Sequence, residues 1–177
     1  NATGNIASNS GTATIVISGS KLRQALAEKG ILSIIVRGWD FDDTLYIDDS
    51  EYYLSEASIS TSDVAVIAAA AVFRDQNIEE ISLSGNYLNI TYRTKGWLLG
   101  FIPVHFTVHL SINAAGTTDK ERVSVKFPWY RFFTWLTLSP VGLAADLNAA
   151  IVGNLAAGLD PAESQARLFT HVTAILR

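Results

Sequence analysis

The chain has 177 residues, of which 49% are apolar and only 17% charged, and its net charge is −4. This length suits one domain with a full core. Because an average domain is about 25% charged, the composition predicts an apolar surface that a second copy, another protein or a membrane covers. The lack of a long basic run argues against a nucleic-acid partner. The absence of cysteine excludes disulfides, thiolate catalysis and cysteine-bound zinc.

The first residues resemble a leader rather than a part of the fold. Residues 1–11 are mostly Gly, Ser, Asn and Thr, which predicts disorder, and Asn1-Ala2 resembles the scar of a cleaved tag. Residues 12–177 are therefore expected to form one α+β domain. No signal peptide and no run of the roughly 20 apolar residues that span a bilayer is visible, so the localisation stays undetermined.

Two segments, opening at Ile17 and Ile59, follow a similar pattern. Each has a Ser-rich opening, a helix-compatible stretch, and two apolar alternations around a turn. The first predicts a helix capped by Ser20 and ended by Gly30, then strands over 31–41 and 44–47. The second predicts a buried helix over 64–73 capped by Ser60 or Ser62, and a hairpin of 78–83 and 87–93 around Gly85-Asn86.

The rest of the chain predicts further strands and then helices. Residues 104–112 alternate, with apolar side chains on one face and polar ones, including His105 and His109, on the other. Residues 122–127 predict another strand, 143–155 a helix, and Asp160-Pro161 the start of a last helix. The predicted fold class is α+β, with two β-α-β-β units forming a mainly antiparallel sheet, followed by two C-terminal helices.

One acidic stretch suggests phosphoryl chemistry. It reads Trp39-Asp40-Phe41-Asp42-Asp43-Thr44-Leu45-Tyr46, and it resembles the first motif of the haloacid-dehalogenase-like phosphohydrolases. The resemblance implies that Asp40 is a nucleophile and Asp42 a general acid and base, with Mg²⁺ between them. The later Lys and the distant acidic pair of that family have no counterpart in this chain. The repeat instead aligns Asp42-Asp43 with the turn at Gly85-Asn86, which favours an acidic hairpin turn.

The same stretch also resembles the calcium loop of an EF-hand. Oxygen-bearing side chains recur at the spacing of calcium ligands, at Asp40, Asp42, Thr44, Asp48 and Glu51. The sixth position should be Gly but is Leu45, and the flanking segments have the pattern of strand and coil rather than of two helices. These residues are therefore a weak candidate for a calcium site. The simpler interpretation is an acidic hairpin that is exposed to solvent.

His105 and His109 could suggest zinc. On a helix, residues four apart share a face and can bind one ion. The alternation and Pro103 place them on a strand, where four residues span about 13 Å. That distance is too long for one ion, so we expect two separate polar-face histidines.

The densest aromatic stretch is Phe127-Pro128-Trp129-Tyr130-Arg131-Phe132-Phe133-Thr134-Trp135, and a second apolar loop is predicted around Trp97 and Phe101. Rings beside Lys and Arg suit a membrane interface, an aromatic-lined ligand pocket or a protein interface. They could also close one end of the core. The candidate interface or ligand residues are Trp97, Phe101, Trp129, Tyr130, Phe132, Phe133 and Trp135.

The sequence therefore favours a non-enzymatic interaction module without a cofactor. It would self-associate, or dock on a protein partner, through the surfaces of residues 97–103 and 127–138. A lipid or membrane surface is a further possible partner. The alternatives are an apolar-ligand or lipid-binding protein with a pocket between sheet and helices, and a Mg²⁺-dependent phosphohydrolase that uses Asp40 and Asp42.

The chain is expected to show no phosphatase turnover, because the Lys and the distal acids of the resembled family are missing. The measurement is hydrolysis of an aryl phosphate with Mg²⁺, with Asp40→Asn as the matched variant. Turnover by the wild type that Asp40→Asn abolishes would contradict this expectation.

Overall fold

The computed structural model describes residues 7–9, 12–30, 34–37, 45–47, 52–53, 60–113, 115–136, 140–154 and 161–176. Its strands are β1 (Ala7–Asn9), β2 (Thr12–Ser18), β3 (Ile34–Arg37), β4 (Leu45–Ile47), β5 (Tyr52–Tyr53), β6 (Ile78–Ser84), β7 (Tyr87–Leu98), β8 (Ile102–Asn113), β9 (Val123–Lys126) and β10 (Thr134–Leu136). Its α-helices are α1 (Gly19–Glu28), α2 (Thr61–Arg74), α3 (Asp119–Arg122), α4 (Pro140–Asn154) and α5 (Pro161–Ile175), and a 3₁₀ helix spans Trp129–Phe133.

The main sheet is antiparallel and has the order β1-β2-β6-β7-β8-β9, with β10 added beside β7. Its centre is the β6-β7-β8 meander. The turn between β6 and β7 consists of Gly85 and Asn86, and Gly85 has a φ of 54°. A two-residue hairpin turn requires this positive φ at its first position. The predicted α+β class, the mainly antiparallel sheet and the two C-terminal helices are confirmed.

A second, small sheet has the order β4-β3-β5. Strands β3 and β4 form the antiparallel hairpin that the sequence predicted, and β5 pairs with β3 in parallel. The sequence pattern placed both predicted hairpins in one sheet, whereas the structure places them in two. Local periodicity identifies a hairpin, but pairing to strands distant in sequence decides which sheet it joins. The turn at Asp42-Asp43 lies outside the described residues.

The core lies between the helices and one face of the main sheet. Along β8 the side chains of Phe106, Val108, Leu110 and Ile112 are buried and the intervening ones are not, as the alternation predicted. Helix α2 packs on β2, β6 and α5, and α4 packs on α5 and β9. The side chain of Gln165 on α5 donates a hydrogen bond to the Gly85 carbonyl and so fixes α5 to the first hairpin turn.

The two long N-terminal helices begin differently. Helix α2 has a capping box, in which the Ser60 hydroxyl accepts from the Asp63 N–H at 3.3 Å and the Asp63 carboxylate accepts from the Ser60 N–H at 2.7 Å. Of the two serines predicted as alternative caps of α2, Ser60 and Ser62, the structure therefore confirms Ser60. Helix α1 begins at Gly19, so its N-cap residue is Ser18 rather than Ser20, and no side chain caps it. Gly19, the first residue of α1, lies close to the Ile78 carbonyl at the start of β6.

Three other segments differ from the sequence expectations. Residues 7–9, in the leader expected to be disordered, form β1 and pair with β2. The connection between the strands predicted over 104–112 and 122–127 contains the short helix α3, where the Glu121 carboxylate accepts a hydrogen bond from the Thr117 hydroxyl at 2.7 Å. That bond lowers the pKa of Glu121. The predicted loop around Trp97 is instead the closed end of the β7-β8 hairpin.

Gly19→Ala is expected to destabilise the protein by roughly 1–3 kcal/mol, the usual range for overpacking. A Cβ at Gly19 would lie 2.4 Å from the Ile78 carbonyl oxygen, so backbone must shift. The measurement is urea unfolding, with the exposed neighbour change Ser20→Ala as the control, for which we expect less than about 0.5 kcal/mol. Equal urea midpoints for Gly19→Ala and Ser20→Ala would show that a Cβ at Gly19 fits beside the Ile78 carbonyl without loss of stability.

Candidate docking surface

The candidate surface is built on the far end of the β7-β8 hairpin, which continues past the end of β6. The pairing of β6 with β7 ends at Tyr92, whereas β7 stays paired with β8 to the Leu98–Ile102 pair. Leu99 has a φ of 54° and Gly100 a φ of 84°, and the Phe101 N–H donates to the Leu98 carbonyl at 3.3 Å. Two successive positive φ values are the pattern of a type I′ turn.

The aromatic stretch after β9 returns to this hairpin end. Strand β9 ends at Lys126, and Pro128, which has no N–H to give to a sheet, precedes the 3₁₀ helix. Strand β10 then pairs with β7, with Trp135 in register with Trp97. The Leu99 N–H donates to the Phe133 carbonyl at 2.8 Å. Backbone hydrogen bonds therefore hold together two segments that lie more than thirty residues apart in the sequence.

Most of the side chains at this end are open to solvent. Trp129 is 77% exposed, Phe101 68% and Leu99 60%. We call the aromatic end the exposed set Trp97, Leu99, Phe101, Ile102, Trp129 and Phe133. These are six of the ten large apolar residues that are exposed in the described part of the chain, so exposed apolar surface is concentrated here.

Three predicted interface residues, Tyr130, Phe132 and Trp135, are not in the exposed set that defines the aromatic end. Tyr130 is half-buried against the core, and its ring meets the Trp129 ring edge-on, with centroids 5.9 Å apart. Phe132 belongs to the 3₁₀ helix and Trp135 to β10, and their side chains lie outside the described part of the structure. Leu99 and Ile102 lie within the predicted surface of residues 97–103 but were not named individually, since exposure at a turn is not visible in periodicity.

Basic side chains stand behind the aromatic end on the outer face of the sheet. Lys95 and Arg93 are exposed and precede Trp97 by two and four residues on β7, so all three point to the same face. His105 is the register partner of Lys95 and is exposed as well. Arg131, half-buried, lies within the 3₁₀ helix. Rows on one face of a strand are about 7 Å apart, so positive charge begins one row behind Trp97.

The two strand histidines do not form a metal site with each other. His105 pairs with Lys95, whereas His109 pairs with Thr91 and lies within 3.4 Å of the Thr91 hydroxyl through Nδ1. Within the described residues no group of three or more His, Cys, Asp or Glu is placed to hold a metal ion. The candidate phosphohydrolase and calcium residues Asp40, Asp42, Thr44, Asp48 and Glu51 lie outside the described residues.

A pocket of about 320 Å³ lies where the chain passes from α2 to β6, beside the middle of β7, and Arg74, Asp75, Asn77 and Tyr92 line it. The Tyr92 hydroxyl donates to the Leu176 carbonyl at 2.9 Å and accepts from the Asn77 side chain at 3.4 Å. A lining of this polarity suits water or polar groups better than an apolar ligand.

Comparison of the chain with protein-family models, with curated proteins and with solved structures gave no match. Among the helices that the structure describes, none is both long enough and apolar enough to cross a bilayer. The function must therefore be argued from the surface itself.

Leu99→Gly is expected to stabilise the free protein by about 0.5 kcal/mol. The left-handed conformation costs a non-glycine residue about 1–2 kcal/mol, and the extra freedom of glycine in the unfolded chain offsets part of the gain. The measurement is thermal or urea unfolding. Gly100→Ala is the control and should lower the stability. A Cβ at Gly100 meets nothing within 4 Å, so the loss of stability measures only the cost of a positive φ in a non-glycine residue. A loss of stability in Leu99→Gly would show that packing of the Leu99 side chain stabilises the fold by more than its positive φ costs.

Proposed function

We propose that the chain is a non-catalytic binding module that docks through the aromatic end. The observation that carries this proposal is the concentration of exposed rings and aliphatic side chains where the hairpin tip meets the 3₁₀ helix. Soluble monomers rarely expose contiguous apolar patches of this kind unless the patch contacts something. Exposed aromatic rings, with the cationic side chains of Lys95 and Arg93 behind them, suit contact with the surface of a partner. Acid-base and nucleophilic catalysis instead need a titratable or nucleophilic side chain held against a substrate.

The energetics support docking. A large aromatic side chain buries about 150–250 Å² when fully covered, and each Å² contributes about 25 cal/mol. Trp129 and Phe101 each expose most of their surface. Covering both would contribute several kcal/mol before the cost of association.

The backbone of the aromatic end supports the proposal as well. The hydrogen bond between Leu99 and Phe133 and the β10-β7 pairing hold both segments in place before any partner arrives. A preorganised surface loses less conformational freedom on binding. Leu at the first position of a type I′ turn is unfavourable for the backbone, so its presence fits a use for the exposed side chain rather than for the turn.

The test compares Trp129→Ala/Phe101→Ala with Val141→Ala/Val152→Ala. The control pair removes exposed apolar side chains from the outer face of α4, where Val141 is 79% and Val152 62% exposed. Sedimentation velocity and flotation on neutral and anionic vesicles measure docking. We expect the wild type and the control to associate in at least one assay, and the aromatic pair to bind at least about tenfold more weakly.

Two results would contradict the docking role. One is a wild type that stays monomeric at all concentrations and ignores both kinds of vesicle. The other is association that the α4 pair abolishes and the aromatic pair leaves unchanged, which would place the contact on α4. Circular dichroism of each variant confirms that it is folded.

A further inference from the structure

Resting on the proposed docking role, we infer that the partner of the aromatic end is the surface of an anionic lipid bilayer. The tip of the β7-β8 hairpin and the 3₁₀ helix would enter the interface between headgroups and acyl chains. The basic residues behind them would meet the lipid phosphates. Three observations carry this inference: the order of residues along the hairpin, the distribution of charge, and the unsuitability of a second copy.

Residues along the hairpin follow the order of layers in a membrane interface. Leu99 and Phe101 form the tip, Trp97 lies one row behind, and Lys95 follows about 7 Å further back. Aliphatic and phenyl groups suit the acyl boundary, indole suits the headgroup level, and lysine extends its amine to phosphate. A penetration of about 5–10 Å, usual for interfacial segments, would place Trp97 at the headgroups.

Charge is separated along this otherwise acidic chain. The net charge is −4, yet residues 81–118 contain no Asp or Glu, and neither do residues 122–145. Among the strands of the main sheet that the structure describes, the carboxylate nearest by register is Glu79, which accepts from the Thr107 hydroxyl at 3.5 Å and thus lies at the row of Arg93, behind Lys95. The segments that build the hairpin end therefore contribute positive charge and no negative charge. An anionic surface would attract these segments while repelling the acidic remainder of the chain.

A second copy of the chain suits this surface poorly. In a two-fold dimer the same patch lies on both sides of the contact, so Lys95, Arg93 and Arg131 of both copies would be brought into one interface. Like charges brought together across an interface disfavour that pairing. An anionic bilayer offers the opposite charge together with an apolar layer for the rings.

The test removes charge while leaving the rings in place. Arg93→Gln/Lys95→Gln changes two exposed side chains. The control is Lys21→Gln/Lys29→Gln, at α1 and at its C-cap, which removes the same charge from exposed positions. Partitioning is measured on phosphatidylcholine vesicles with and without about one-third phosphatidylserine. Since each basic residue near an anionic surface strengthens binding about fivefold, we expect at least about a tenfold loss for the hairpin pair and less than twofold for the control.

Tryptophan fluorescence gives a second readout that locates the contact. Vesicles carrying brominated acyl chains should quench the emission of the wild type, and Trp129→Ala should reduce that quenching. Unfolding curves of all variants check that each one is folded at the temperature of the binding assay.

Several outcomes would overturn the lipid inference. Equal binding to neutral and anionic vesicles would do so, as would unchanged binding of Arg93→Gln/Lys95→Gln. Concentration-dependent dimers that Trp129→Ala/Phe101→Ala dissolves, without any vesicle binding, would overturn the lipid partner but keep the docking role. No association of any kind would overturn both.

Discussion

The antiparallel pairing of β7 with β8 is the interaction on which the rest of the described structure depends. It runs without a break in register from the Tyr87–Asn113 pair to the Leu98–Ile102 pair. Because side chains alternate along each strand, one unbroken register assigns every residue of both strands to a face. That register buries Phe106, Val108 and Leu110 under the helices and sends Arg93, Lys95 and Trp97 to the opposite side.

The length of this hairpin explains how one molecule carries both a core and an exposed apolar end. Its inner half is flanked by β6 and β9 and covered by the helix layer. Its outer half has β10 on one edge and extends beyond the strands that carry the core. Side chains near the tip therefore have few neighbours, and Phe101 and Ile102 stay exposed although they are as apolar as those inside. The exposed surface is a geometric consequence of strand length.

Some of the candidate surface was predictable and some was not. The aromatic density around Trp129 and the apolar run around Trp97 stand out in the sequence, and Pro128 predicts the end of β9. The contact between the two segments was not predictable, because β10-β7 pairing and the Leu99–Phe133 hydrogen bond join residues far apart in the chain. The turn conformation of Leu99 was not predicted, because nothing local marks a leucine as a turn residue with positive φ.

The sequence by itself determined the local elements of this protein. Period-two alternation predicted β8, the Gly85-Asn86 pair predicted the first hairpin turn, and the serines at 60 and 62 predicted the start of α2. These signals are local, since they depend on neighbouring φ and ψ angles and on side chains a few residues apart. Only the tertiary structure decided which strands share a sheet, that α1 begins at Gly19 against β6, and that the aromatic end gathers at the hairpin tip. Each depends on backbone hydrogen bonds or close contacts between distant residues, which no local pattern encodes.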